Sequence, residues 1–316
     1  MRRALLITLL AACGDDGNKV LCFCVGDGGL YDGVQADAPP FTGDPLIGVG
    51  SVEVVQGGYQ FTEGPQWRDA TDDLVFSDIP ANTIYKYTPG GGAPVVHRMP
   101  SGNANGLALD LGGELIAAQH DRTVTRDGTV IASLFETEQL NSPNDVIVHD
   151  DGTIYFTDPP YGTPGGQGGS ALGFMGVFRL QPNGTLTAEH RGAAAERPNG
   201  IGLSPDRNTL YVADTADGKL WKFARNTDGT LGPRTMVAMT SGGADGLAID
   251  AAGNIFVTAN AGVEVFAPDG IKWGTIVVPM KPANCAFGDV DHKTLYITAQ
   301  TTLYKVRLAN AGLPHH

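Results

Sequence analysis

A chain of 316 residues with 42% hydrophobic content has material for a large core. Its formal net charge of −13, with no Lys/Arg block to offset it, argues against a nucleic-acid surface and fits a cation site or plain solubility equally well. Its 44 glycines and 20 prolines imply many turns, and the apolar runs are too short and too often broken by Asp-Gly or Gly-Asn to leave much room for helices.

Residues 1–12 read as a signal segment. Met1-Arg2-Arg3 is basic, Ala4 to Ala12 is a short apolar run, and "LAAC" at 10–13 resembles the bacterial lipobox, in which the cysteine becomes the lipidated N-terminus. The run is too short to span a bilayer as a helix. The expectation is an exported, envelope-located protein, periplasmic or at the cell surface, anchored only through lipid at Cys13; an ordinary secretory signal is the alternative. Residues 13–45 are Gly/Asp-rich without periodicity and read as a tether. Cys22 and Cys24 lie in it, as a disulfide, a metal contact or neither. With only Cys285 elsewhere in the mature part there is no zinc pattern, so structural or incidental use is expected.

From 46 to 310 the sequence repeats. "EGPQWRDATDDLVFSD" starts at Glu63 and "NGLALDLGGELIAAQH" at Asn105. "NDVIVHDDGTIYFTD" starts at Asn144 and "NGIGLSPDRNTLYVAD" at Asn199. "DGLAIDAAGNIFVTA" starts at Asp245 and "NCAFGDVDHKTLYITA" at Asn284. The intervals of 42, 39, 55, 46 and 39 residues each hold a polar residue, a strand, a turn and a second strand, with chain left for two more. Four strands per unit is the signature of a propeller, so the fold is all-β, a six-bladed β-propeller. "GSVEVVQGG" at 50–58 is placed as an outer strand of the last blade, beside "TLYKVRL" at 302–308. Residues 311–316 are a C-terminal tail.

The first strand of each propeller blade lines the central channel. Glu63, Asn105, Asn144, Asn199, Asp245 and Asn284 therefore form a ring at one mouth, and all six carry a side-chain oxygen. Such a set is expensive to bury without a partner. A divalent cation meets that cost, and an oxygen-only donor set favours a hard ion. Calcium is the expected ion, with magnesium, manganese or zinc as alternatives; an ion that merely plugs the channel is the plainer reading. The residues after each second strand, Asp78, His120, Asp158, Asp214, Asn260 and Gln300, return to the same face. The three aspartates look like turn chemistry with the next loop. His120 stands as a candidate proton shuttle. The Gly-rich loop at 161–176, which begins with Tyr161, is expected to rise over this face as a partial lid or a plain connection.

"FTEGPQW", "NSPNDV", "FTDPPYG", "RPNGIGLSPD", "LYVAD", "ADGLAID" and "LYITA" resemble, in order and over about 50–308, the gluconolactonase / senescence marker protein (regucalcin) / luciferin-regenerating enzyme family, and "AAQHDR" resembles its bacterial sugar-lactonase branch. The resemblance implies a six-bladed propeller with one divalent ion at the mouth, an architecture shared with diisopropyl fluorophosphatase and paraoxonase. It implies metal ligation by Glu63, Asn144, Asn199 and Asp245, and a substrate-facing amide at Asn105; Asn284 and Tyr161 are added as substrate contacts. The expected activity is metal-dependent hydrolysis of a lactone, a sugar lactone such as gluconolactone first, with Asp245 or His120 as base. An organophosphate or aryl-ester hydrolase on the same site is one alternative, and a non-catalytic tethered binding propeller is another. No G-x-S-x-G nucleophile motif occurs, which argues against a covalent route. The partner is a small-molecule lactone or ester, and nothing in the sequence fixes an oligomeric state.

Overall fold

The computed structural model describes residues 43–163 and 172–313. The signal segment, Cys13, Cys22, Cys24, nearly all of the tether, the middle of the 161–176 loop and residues 314–316 lie outside the described residues. The described chain is all-β, and six four-stranded antiparallel sheets make the six blades of a propeller.

Local chemistry sets each blade. In the third, Val146–Val148 pairs with Ile154–Asp158, and Met175–Leu180 and Leu186–Gly192 complete the sheet. The turn between the first two is the Asp151-Gly152 signal. Gly152 takes a φ of 81°, and His149 N–H donates to Thr153 O at 2.8 Å. Ile154–Asp158 (IYFTD) is β-branched and aromatic and buried throughout, because both of its faces meet neighbouring blades. The outer strand Leu186–Gly192 is only partly buried and correspondingly polar.

The ring closes as the sequence suggests. Asn284–Gly288, Thr294–Ala299 and Thr302–Arg307 form the last blade, and Glu53–Gly57 completes it, with Glu53 opposite Lys305 and Gly57 opposite Thr302. The core is correspondingly divided into apolar clusters at the seams between successive blades. One joins Val75 and Ile84 to Leu107 and Ala117, and another joins Trp67 and Phe76 to Tyr296 and Leu303 across the closure. One element was not expected. A two-residue hairpin, Leu134–Phe135 with Glu138–Gln139, occupies the link between the second and third blades. It places Phe135 edge-on to Phe178 at 5.2 Å, so a connection with little strand character is held by an aromatic anchor.

Candidate functional site

Five of the ring side chains, Glu63, Asn105, Asn144, Asn199 and Asn284, are buried at 3–6% relative exposure. Asp245 keeps part of its surface open, although its carboxyl is surrounded by protein. Convergence depends on the next residue in each strand. Glycine stands after Glu63, Asn105, Asn199 and Asp245, and each of these glycines sits against the next blade at its ring residue. A methyl on Gly64 would stand 1.9 Å from Asn105 O, on Gly200 2.3 Å from Asp245 O, and on Gly246 2.0 Å from the Asn284 amide. The repeat alone suggests a simple strand start at each ring residue. Instead, the strand pairing breaks beside Glu63, Asn105 and Asn199, and the strands of the third and fifth blades begin only after Asn144 and Asp245. The breaks free backbone groups to bond the adjacent blade. Gly106 N–H donates to Asn144 O at 2.7 Å, and Gly200 N–H to Asp245 O at 3.1 Å.

Hydroxyls near the ends of the second strands lock this arrangement from outside. Ser77 donates to Asn105 O at 2.8 Å, Thr157 to Asn199 O at 2.7 Å and Thr258 to Ala283 O at 2.8 Å. The stretch leading to Asp245 has its own holder. The fully buried carboxylate of Glu264 accepts Ser241 N–H at 3.2 Å and pairs with Lys272 at 3.1 Å.

Three groups of side chains face the mouth. On one side the Asn284 amide bonds both Glu63 and Asp145. On a second, Asn199 bonds Asp245 and donates to Thr215 Oγ1 at 2.9 Å, and the Tyr161 hydroxyl bonds Thr215 and Asn199. On the third, the Asn105 amide is paired with His120 Nε2 at 3.2 Å, and Gly162 is packed against the His120 side chain. Asn144 is fixed through its backbone, with N–H to Thr157 O at 2.8 Å. Every predicted site residue is therefore placed at or beside the ring.

Burial dominates the electrostatics. It pushes Glu63 well above the usual carboxylate range, and the neighbouring Asp245 and Asp145 push it further. Burial raises Asp245 to about 7 against the opposing charge of Lys281, and raises Asp145 to about 7 against hydrogen bonds from Ile201, Val146 and Asn284. His120 is driven down to about 4 by burial, so its imidazole is neutral at neutral pH. Tyr161 is held up at about 12, chiefly by burial. Beneath the ring the channel keeps a cavity of about 20 Å³, lined in part by Gln66, Asp145, Asn284 and Cys285, enough for one water.

Asp145 was missed as a site residue. Its signal was in the repeat: the position after the ring residue is glycine in four blades but Asp145 in the third and Cys285 in the sixth. Its two oxygens each accept one backbone N–H, from Val146 at 3.0 Å and from Ile201 at 3.2 Å, so its carboxyl is fixed beneath the ring. The aspartates after the second strands also differ from expectation. Asp78 accepts Gln60 and Phe61 N–H at 3.0 Å, and Asp158 accepts Asn141 and Ser142 N–H at 2.7 Å. They hold the segment that enters the blade rather than the next loop; Asp214 does both, through Arg197 and Ala216 N–H.

No three His, Cys, Asp or Glu side chains form a metal-binding group by themselves among the described residues. The donors on offer are mixed: the carboxylates of Glu63 and Asp245 with the amides of Asn144 and Asn199. The two acids are enclosed with like charge from Asp145 beside them, a cost that a divalent cation removes. The residues therefore fit a hard, oxygen-liganded ion.

The sequence model of the SMP-30/Gluconolactonase/LRE-like region matches residues 61–301. The chain belongs to this family. Among relatives of this SMP-30/gluconolactonase group, the gluconolactonase of Zymomonas mobilis subsp. mobilis is 33% identical over 305 residues, covering 85% of each chain. The pentonolactonase XacC of Haloferax volcanii is 29% identical over 256 residues, covering 78% of this chain and 83% of that one. A solved gluconolactonase structure from Xanthomonas campestris superposes with a TM-score of 0.76 at 32% identity, over 82% of this chain and 89% of that one.

Proposed function

We propose that this protein is a divalent-cation-dependent lactonase that opens a sugar lactone to its hydroxy acid. The observation that carries the reading is the enclosed acid pair Glu63 and Asp245, set among amides at a channel mouth with a neutral imidazole beside it. The names of the gluconolactonase and pentonolactonase relatives support it.

Glu63, Asn144, Asn199 and Asp245 would hold the ion, calcium first. A cation bound there would draw electron density from the lactone carbonyl and so favour attack by water. Asn105 presents an amide toward the bound ring and holds His120 at 3.2 Å. Water adds to the carbonyl carbon and gives its proton to a base, either Asp245 or neutral His120. The ring C–O bond then breaks, and the proton is returned to the departing oxygen as the new hydroxyl. The carboxylic acid so formed releases its remaining proton to solvent, and the product carries a carboxylate. The neutral Tyr161 phenol, anchored on Asn199 and Thr215, is placed to hold a substrate hydroxyl.

The test is proton release from aldonolactones by protein treated with a chelator and then given calcium, magnesium, manganese or zinc. Restored turnover above spontaneous ring opening supports the reading. Equal turnover with and without metal refutes the cation's role, and no turnover on any lactone refutes the lactonase. Export and a lipid anchor at Cys13 belong to the same proposal and rest on Arg2-Arg3 and "LAAC" alone; Cys13→Ser is expected to move the protein from the membrane to the soluble fraction.

A further inference from the structure

Two cations at the mouth have no role in the lactone-opening steps. Lys281 lies in the link that enters the last blade. Its ammonium sits over Gly243, where a methyl would be only 2.9 Å from Nζ, and its charge is felt by Asp245, two residues after that glycine. Arg197 enters the fourth blade just before Pro198-Asn199. Its Nη1 donates to the carbonyls of Ala194 and Glu196, both at 2.7 Å, and its charge is felt by the Tyr161 hydroxyl.

Most arginines and lysines of the described residues are ion-paired, as with Arg68–Asp73, Arg179–Glu189 and Arg234–Glu196. Lys281 and Arg197 have no carboxylate within ion-pair distance among the described residues. Lys86, Arg122, Lys222 and Lys293 also lack such a partner, but Lys281 and Arg197 are the two whose charge is felt by Asp245 and Tyr161, which leaves positive charge at the mouth of a chain with a net charge of −13. Neither cation is deeply buried, so each keeps donors free for a ligand. Gly243 brings the chain close to both side chains: a methyl there would stand 2.6 Å from Asn260 Oδ1 and 2.9 Å from the Lys281 amine.

We propose that Lys281 and Arg197 form an anion-binding rim, and that the preferred substrates are lactones carrying an acidic substituent, a carboxylate or a phosphate, away from the ring ester. The ester faces the ring of acids and amides, while the acidic end lies toward Asp245's outer side, between the two cations. A strong field from a lysine and an arginine favours both binding and capture of such a substrate. This inference rests on the lactonase reading and narrows its substrate class.

The experiment compares kcat/KM of the metal-loaded protein on three lactones of similar size: a neutral aldonolactone, an aldarolactone with a terminal carboxylate, and a phosphorylated aldonolactone. At low ionic strength at least one acidic lactone is expected to be favoured tenfold or more, mainly through KM, with the preference shrinking as salt rises; the two acidic arms show which group the rim takes. Lys281→Gln is expected to lower the acidic-to-neutral ratio at least tenfold, and Lys281→Arg to keep most of it. Lys281 is exposed, so neither variant threatens folding. If the neutral lactone is opened and the acidic ones are not favoured, or Lys281→Gln leaves the ratio unchanged, the rim inference falls and the lactonase stands. If no lactone is opened, both fall.

Discussion

Gly200 and Gly202 lie two residues apart on the strand Pro198–Leu203, and replacing each by alanine gives sharply different expectations. At Gly200 the new methyl would stand 2.3 Å from Asp245 O and 2.7 Å from Gly246 Cα. Both are backbone atoms and cannot rotate away. Ordinary carbon contacts need about 3.5 Å, so the fourth and fifth blades must part by about 1 Å at the ring. Overpacking of this kind costs roughly 2 kcal/mol, which for a domain of this size lowers Tm by about 4 °C. The functional loss is larger, because the displaced backbone carries Asp245, and a 1 Å misplacement of a reacting constellation costs about 100-fold in turnover. At Gly202 the methyl would meet Leu247 Cδ1 at 2.6 Å and Ile249 Cδ1 at 3.4 Å, side-chain ends that can turn aside. Gly202→Ala is expected to cost under about 1 kcal/mol and to keep activity. Thermal melts followed by circular dichroism and lactone turnover on both variants make the comparison. A Gly200→Ala protein that melts and turns over like wild type would refute the claim that glycine packing at the ring positions the site.

Asp245→Asn is expected to lose metal binding and turnover together, measured by calorimetry and proton release. His120→Ala is expected to keep the metal while turnover falls at least 100-fold; full activity in that variant would leave Asp245 as the base. The acids of the ring also set an unusual pH dependence. Burial raises Asp145 and Asp245 from 3.8 to about 7, and Glu63 well above its normal value, so folding of the metal-free protein takes up protons between about pH 4 and 7. Stability is then greatest on the acidic side and falls as pH rises toward 7, by about 4 kcal/mol for a carboxyl such as Asp145. Carboxylates held low, such as Asp291 at about 2, act only at more acidic pH; His120, held down at about 4, opposes the acids by about 2 kcal/mol between pH 5 and 6.5, less than the combined loss from Asp145 and Asp245. In a chelator, Tm is expected to fall from pH 5 to pH 8, and calcium to raise it more at pH 8; a Tm that climbs over that range without metal would contradict the role given to buried charge.

The fold could be read from the sequence because each blade carries its own signals: a turn such as Asp151-Gly152, a β-branched second strand such as IYFTD, and a spacing that repeats. The ring residues came from topology, since only the first strand of a blade reaches the channel. The features that could not be read depend on contacts between repeats. Asp145 is one residue from Asn144, yet its carboxylate is aimed at Ile201 in the next blade and at Asn284 in the last. The backbone breaks beside Glu63, Asn105 and Asn199 answer to neighbouring blades as well. The pairing of His120 with Asn105 rests on the register of Ala104–Leu109 against Leu115–Gln119, which alternation alone leaves open.

The strand Glu53–Gly57 completes a sheet whose other three members begin at Asn284. The last blade therefore cannot exist until nearly the whole domain has been made, and its closure joins segments about 250 residues apart in sequence. Such a distant pairing is entropically late. Until it forms, the seam that holds Trp67 against Tyr296 is open, and Glu63 and Asn284 lie on opposite ends of an unclosed arc. On the proposed reading, the ring that would hold the cation is thus completed by the final step of folding, and a ligand that draws those two ends together would act as a clasp on the circle.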